Sequence, residues 1–307
     1  MQKILSPAKI NLSLRIGKID NEGMHPLESF IGFADFGDRI SLIKLSKTKG
    51  LTNVMMKFSG PFAHKLPKSK QNFLYRAALI FKEIIGQDFE LEVELEKNLP
   101  LASGLGGGTV NGGTLLRLLV SYWKTNWPEE IKGHILDSLA LAKDFGSLLG
   151  ADGAMAIAQQ GLWAESYGER LTPVAFEPMA IALFHHGIDC PTGPIFKRFD
   201  QCSPNGEPLT GLPFNLQSQP YLTRPLWLEW VKSSTNDLEI PAIDMFPEIG
   251  IGIKQLSVMG GCHLARMSGS GAAFYGLFDA LSQAEEARDK MLATGHYPTS
   301  FVGMVSS

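Results

Sequence analysis

The amino-acid sequence predicts an α+β protein of two domains, built on antiparallel or mixed sheets. Three observations predict it. The 307 residues are enough for two separate cores. Residues 89–96, Phe-Glu-Leu-Glu-Val-Glu-Leu-Glu, alternate strictly, with one wholly apolar and one wholly acidic face; that is a strand with one wet side. Residues 72–85 switch to the helical period, with Leu74, Ala77, Ala78, Phe81 and Ile84 or Ile85 on one face and Gly86 as the stop.

Taken in chain order, the first element is a half-buried strand over 8–16, with Ile10, Leu12, Leu14 and Ile16 on one side. Residues 30–45 carry apolar clusters broken by Gly37-Asp38 and predict two strands joined by a turn. The helix at 72–85 and the strand at 89–96 follow. Further helices are expected over 110–123 and 134–147. After Gly150-Ala151-Asp152-Gly153, a run of small residues leads to a strand near 161–166. Residues 179–186 predict a buried strand that opens the second domain. Residues 187–222, rich in Pro, Gly, Asn and Gln, predict irregular loop with at most short helices. A helix over 251–260, a strand over 272–278 and a charged amphipathic helix over 281–294 complete the chain. The domain boundary is placed near residue 162, giving domains 1–162 and 163–307.

Composition narrows the function classes. Hydrophobic residues make up 44% and charged residues 19%, the balance of an ordinary globular protein. A net charge of −3 gives no electrostatic case for nucleic acid as a partner. No apolar run approaches the ~20 residues that span a bilayer, and the apolar start is too short for a signal peptide. No membrane partner is expected. Cys190, Cys202 and Cys262 form no CxxC pair, which suits a reducing cytoplasm rather than a disulfide framework. The pair His185-His186 lies on a strand, where neighbours point to opposite faces, so it predicts no shared metal.

The stretch Leu99-Pro100-Leu101-Ala102-Ser103-Gly104-Leu105-Gly106-Gly107-Gly108-Thr109 sits between a strand and a helix, and four of residues 104–108 are glycine. Glycine lets the main chain turn sharply and approach a ligand closely. A helix start adds unpaired N–H groups and the positive end of the dipole. Such a turn is suited to phosphate. It matches neither G-x-x-x-x-G-K-[ST] nor the G-x-G-x-x-G dinucleotide pattern, because Thr109 stands at the third glycine. Lys9, inside the first strand, would ordinarily face water. Asp152 would ordinarily cap a helix, and a carboxylate so held also suits a fixed base.

Several motifs together resemble the GHMP kinases. Ser6-Pro7-Ala8-Lys9-Ile10-Asn11-Leu12 with Gly23-Met24-His25-Pro26-Leu27 resembles the opening of the branch that acts on 4-diphosphocytidyl-2-C-methyl-D-erythritol. The glycine turn resembles the ATP loop, and Leu149-Gly150-Ala151-Asp152 the catalytic aspartate motif. Pro191-Thr192 to Phe196-Lys197 resembles the substrate loop, and Arg266-Met267-Ser268-Gly269-Ser270-Gly271 the third, glycine-rich motif.

The resemblance implies a two-domain fold: an N-terminal α/β unit like ribosomal protein S5 domain 2, to which the C-terminal tail is free to return, and a C-terminal ferredoxin-like α+β sandwich. The active site would lie in the cleft between them. It implies transfer of the γ-phosphoryl group of ATP to the 2-hydroxyl of that cytidylyl substrate, a step of non-mevalonate isoprenoid synthesis in the cytoplasm, by a monomer or homodimer. Asp152 would be the general base and Lys9 its cationic partner. Pro100, Leu101, Ala102, Ser103, Gly104, Leu105, Gly106, Gly107, Gly108 and Thr109 would hold ATP. Asn11, Met24, His25, Thr192 and Phe196 would contact the substrate, with Phe196 stacked on cytosine and His25 hydrogen-bonded to its edge. Mg²⁺ would accompany ATP, with Thr109 as a candidate ligand.

The chain departs from the family pattern in several places. Met24 replaces a tyrosine, Thr109-Val110 replaces Ser-Ser, and Gly112-Gly113 replaces two alanines, which predicts a loose helix start. Gly153-Ala154 replaces Val-Pro, which predicts a more mobile turn at Asp152. Two alternatives stay open: a GHMP kinase of the homoserine or mevalonate type, and a nucleotide-binding relative with weakened catalysis.

Overall fold

The computed structural model describes residues 2–67, 70–130, 137–213 and 217–307. The chain forms two compact units. The first comprises Met1–Ala8, Gly37–Leu101 and Gly106–Gln159, and the second Lys9–Phe36, Ala102–Leu105 and Gln160–Ser307. The long break at Gln159 lies beside the expected boundary at 162, but two earlier segments group with the second unit. Two strands divide their residues between the units: β1 (Gln2–Asn11) and β3 (Leu27–Lys47). The expected single strand over 8–16 stops at Asn11 and resumes only as the short β2 (Arg15–Ile16), which pairs with the start of β3.

β3 corrects the expectation of two strands and a turn. Gly37-Asp38 does not turn; the strand runs through it. Tertiary contacts within the first unit override the local turn signal. A Cβ at Gly37 would run into the Ser6 carbonyl of β1, so glycine permits close strand pairing. Asp38 is fully buried, with partners of its own.

In the first unit, β4 (Asn53–Ser59) lies parallel to β5 (Phe89–Glu96), and β5 lies antiparallel to the second half of β3. β5 matches its predicted span, and its apolar residues Phe89, Leu91, Val93 and Leu95 are buried. Its acidic face is answered by neighbouring strands: Glu90 by Lys44 at 2.5 Å, Glu92 by Lys57 at 2.5 Å and Glu96 by Lys3 at 2.5 Å.

The helix α1 (Phe73–Ile85) begins at Asn72, whose side chain accepts from the Leu74 N–H, and ends at left-handed Gly86. The helix predicted over 110–123 is α2 (Gly107–Asn126). The one predicted over 134–147 is α3 (Ser138–Leu149), with 134–136 outside the described residues. The small-residue run forms α4 (Gly153–Ala158), all six residues of which are buried.

In the second unit, β6 (Leu162–Glu165) pairs with β3 and with β7 (Arg170–Pro173). β8 (Met179–His185), β9 (Leu264–Met267), β10 (Phe274–Phe278) and β11 (Thr299–Ser306) lie in the order β11-β8-β10-β9, all antiparallel. Helices intervene between β8 and β9 and between β10 and β11, so this part is the expected ferredoxin-like β-α-β-β-α-β arrangement. Phe184, Phe274, Leu256, Ala287 and Met291 pack together in its core.

The segment predicted as irregular contains α5 (Thr192–Cys202), an 11-residue helix that buries Ile195 and Phe199. Residues 214–216 of that segment lie outside the described residues. Helices Pro247–Ser257 and Leu281–Leu292 lie where helices were expected. No helix among the described residues is long and apolar enough to cross a membrane.

Candidate active site

The glycine turn has a specific local geometry. Ala102, Gly104 and Gly106 have φ values of 49°, 75° and 65°, while Ser103 and Leu105 between them do not. Alternating handedness of this kind turns successive N–H groups toward one concave side, a nest for an anion. Gly106 is also the N-cap of α2, so the first N–H groups of that helix follow directly.

In the second unit, residues 102–105 pack main chain to main chain against the turn at 268–271. A Cβ on Gly104 would collide with the Ser268 carbonyl, and one on Gly269 would lie 2.6 Å from the Gly104 oxygen. Ser268 Oγ donates to that Gly104 oxygen at 3.2 Å, and the Ala273 N–H donates to Ser103 O at 3.1 Å. Asn236 Nδ2 donates to the carbonyls of Met267 and Gly269, each at 2.9 Å, and so fixes the second turn. The Arg266 guanidinium donates to Leu12 O at 2.7 Å, Val231 O at 3.1 Å, Ser234 Oγ at 3.2 Å and Ser234 O at 2.6 Å.

Lys9 and Asn11 belong to this same assembly. The Lys9 N–H donates to Leu105 O at 3.0 Å, and the Asn11 N–H to Ser268 Oγ at 3.2 Å. Lys9 is 5% exposed, so it is not the solvated lysine its strand position suggested. Its Nζ donates to Asn11 Oδ1 at 3.0 Å. Asn11 Nδ2 donates to Ser29 Oγ at 2.8 Å, which donates in turn to Ser13 O at 2.6 Å. A buried ammonium is costly unless its environment is polar and ordered. This chain of donors supplies that order.

Met24, His25, Thr192 and Phe196 also lie in the second unit. His25 sits against Phe196 at 5.2 Å and Phe199 at 5.9 Å between ring centroids. Its Nδ1 faces Gly17 O at 2.9 Å and its Nε2 faces Asp200 Oδ1 at 3.2 Å. Both partners are acceptors, so a singly protonated ring donates to one of them. A hydrogen bond from this ring to a base must replace one of them, and Asp200 is the exposed one. Phe196 lies on α5 rather than in a loop. Thr192 Oγ1 is 2.9 Å from Ser270 Oγ. Met24 is 45% exposed, on a turn fixed by Asp20, which accepts from the Glu22 and Met24 N–H groups and from the Tyr167 hydroxyl. Cys190 is buried, and burial pushes its thiol up to about 11.

The first unit holds Pro100, Leu101, Gly106 to Thr109 and Asp152. Asp152 occupies the N-cap of α4 yet makes no capping hydrogen bond with its side chain. Below the loop lies a network that the sequence reading missed. Asp38 accepts from Lys97 Nζ, from the N–H groups of Asn98 at 2.7 Å and Leu99 at 2.8 Å, and from Asn111 Nδ2 at 3.0 Å. Burial pushes the Lys97 pKa down, against the pull of Asp38. Ser6 Oγ completes the network by donating to Asn111 Oδ1 at 2.6 Å. The residues that lead into the loop and those that follow it in α2 are thus tied to one carboxylate.

The unusual glycines have packing reasons. A Cβ at Gly113 would strike the Ala156 carbonyl, and one at Gly153 would strike the Gly146 carbonyl. They let α2, α3 and α4 approach closely. No cluster of three or more His, Cys, Asp or Glu side chains able to hold a metal occurs among the described residues.

The family described as GHMP kinases N terminal domain matches residues 72–183, and GHMP kinases C terminal matches residues 224–296. A 4-diphosphocytidyl-2-C-methyl-D-erythritol kinase of Caulobacter vibrioides (strain NA1000 / CB15N) is 34% identical over 289 residues, covering 93% of each chain. The chain belongs to the GHMP kinase family. A protein of the same name from Hyphomonas neptunium is 35% identical over 285 residues, covering 92% of this chain and 88% of that one. Among solved structures, a 4-(cytidine 5'-diphospho)-2C-methyl-D-erythritol kinase matches with a TM-score of 0.73 at 25% identity, covering all of both chains. Homoserine kinase from Cytophaga hutchinsonii, at 18% identity and a TM-score of 0.59 with 100% of this chain and 96% of that one covered, shares the GHMP kinase fold. GHMP kinases are ATP-dependent small-molecule kinases.

Proposed function

We propose that this GHMP kinase transfers the γ-phosphoryl group of ATP to the 2-hydroxyl of 4-diphosphocytidyl-2-C-methyl-D-erythritol. The observation that carries the residue assignment is the buried Lys9–Asn11 pair tied by its main chain to both glycine turns. The relatives' names support the substrate. The homoserine-type alternative rests on fold likeness alone.

Phosphoryl transfer asks a protein mainly for positioning and for neutralisation of charge. The N–H groups from Gly104 to Thr109 hold the ATP phosphates, with Pro100 to Ser103 shaping the approach. Asp152 takes the proton from the 2-hydroxyl as its oxygen bonds to the γ-phosphorus and ADP leaves. Lys9 offsets charge on the moving phosphoryl group. Asn11 aligns the Lys9 ammonium. His25 gives up Asp200 to hydrogen-bond the cytosine edge, while Phe196 and Met24 cover the ring and Thr192 borders the diphosphate. The Thr109 hydroxyl would be the protein's ligand to a Mg²⁺ ion held otherwise by phosphate oxygens and water, which would supply neutralisation of phosphate charge. The cytoplasm is the setting for the reaction.

The test compares wild type with Asp152→Asn in an ATP-consumption assay containing the cytidylyl substrate. The variant keeps shape and loses the base. Turnover falls by roughly 10²–10⁴-fold, the contribution of general-base catalysis, while the affinity for ATP stays within about twofold. Unchanged turnover rejects the assignment of Asp152. Turnover of homoserine or mevalonate in place of the cytidylyl substrate rejects the substrate.

A further inference from the structure

Arg117 of α2 lines a pocket of about 670 Å³ in the first unit, a volume typical of small-molecule sites. Its surroundings differ from those of Lys97 and Arg266. Lys97 faces Asp38, and Arg266 donates to four oxygens. Arg117 is half-buried, yet among the described residues it meets no carboxylate. It donates to Gln159 Oε1 at 3.1 Å. A guanidinium carries five N–H donors, so most of its capacity is unanswered among the described residues. Burial alone pushes its pKa down, with no neighbouring carboxylate to oppose it.

Gln159 is fixed in the orientation that presents its oxygen to Arg117. Its Nε2 donates to Thr114 Oγ1 at 2.7 Å and to Ala156 O at 2.8 Å, so the amide cannot flip without losing both bonds. Arg117 is therefore held at the pocket wall by a neutral group. Ser121 and Ser138 add hydroxyls to the lining, and Leu5, Leu118 and Leu141 supply an apolar side.

We propose that this pocket binds a small organic anion, a carboxylate or phosphate monoester on a short aliphatic body. The anionic group pairs with Arg117 and the hydroxyls, and the aliphatic part lies on the leucines. This site is separate from the glycine turn and does not depend on the substrate assignment.

The experiment titrates the full chain with hexyl phosphate, using calorimetry and the methyl resonances of Leu5, Leu118 and Leu141. Inorganic phosphate and hexanol are the comparison ligands. Hexyl phosphate should bind at least about tenfold more tightly than either, since it uses both walls. Arg117→Gln should weaken it by at least about tenfold, the worth of one charge-assisted hydrogen bond. Ser121→Glu is a second, independent variant. Ser121 is exposed, and it lies four residues on in the same helix, so a glutamate there reaches Arg117 and occupies its donors. It should abolish binding with folding intact. No binding by wild type, equal binding by wild type and Ser121→Glu, or methyl shifts confined to other residues would overturn the proposal.

Discussion

At the scale of single residues, the site depends on where each polar atom is tied. Lys9 was readable as a candidate only through its motif. Its position in an alternating strand predicts exposure, and its burial follows from Asn11, two residues on, which Ser29 and Ser268 from distant parts of the sequence hold in place. Lys97 did carry a signal in the sequence. Extending the inward register of Phe89, Leu91, Val93 and Leu95 by two residues places it among apolar positions, which for a lysine means a buried partner. Nothing local named Asp38 as that partner. Met24 poses a test of binding. A thioether over a base contributes roughly 0.3–1.5 kcal/mol, with less area than an aromatic ring. Met24→Tyr should therefore lower the KM for the cytidylyl substrate and leave kcat nearly unchanged, as steady-state kinetics would reveal. An unaltered KM counts against Met24 facing the cytosine.

Among the elements, those with strong periodicity were legible. α1 and β5 lie where their patterns put them, because one face of each meets a core. The turn at Gly37-Asp38 was misread because close strand packing and a buried carboxylate outweigh turn propensity there. α5 was hidden by its Pro and Gly content, although Ile195 and Phe199 give it a buried face. Two stability predictions belong at this scale. Asp38→Ala leaves the Lys97 ammonium buried and unpaired, and should cost about 3–5 kcal/mol by denaturant titration. In Gly113→Ala two effects compete. Alanine favours the helix by ~1 kcal/mol, but its methyl meets the Ala156 carbonyl, and overpacking costs ~1–3 kcal/mol. The clash is with main chain that cannot swing aside, so the variant should be less stable than wild type, with a lower thermal midpoint.

For the whole molecule, stability in acid is set by two opposed groups of carboxylates. Burial raises the pKa of Glu239 and of Asp237. The folded chain therefore holds more protons there than the unfolded one. Their contribution is complete below the ordinary values and is lost as pH rises through the raised ones. Asp88 and Glu96 work the other way, held low by hydrogen bonds from Lys82 and Lys3. Their contribution is present above the ordinary values and is lost as pH falls through the lowered ones. Glu239→Gln keeps an acceptor for the Met267 N–H, bonded at 2.8 Å in the wild type. The thermal midpoint of this variant relative to wild type should rise as pH increases from the ordinary glutamate value of 4.5 toward 7. A difference that stays flat across that range would show that Glu239 does not titrate with a raised value.

β3 has a further consequence. Its first half pairs with β6 and β11, strands that the ribosome makes long afterwards, while its second half pairs with β5. A polypeptide released after Gln159 would keep the early segments 9–36 and 102–105 but lack their later neighbours. A single cut in the chain therefore delivers neither unit whole, because each is assembled from three separate stretches.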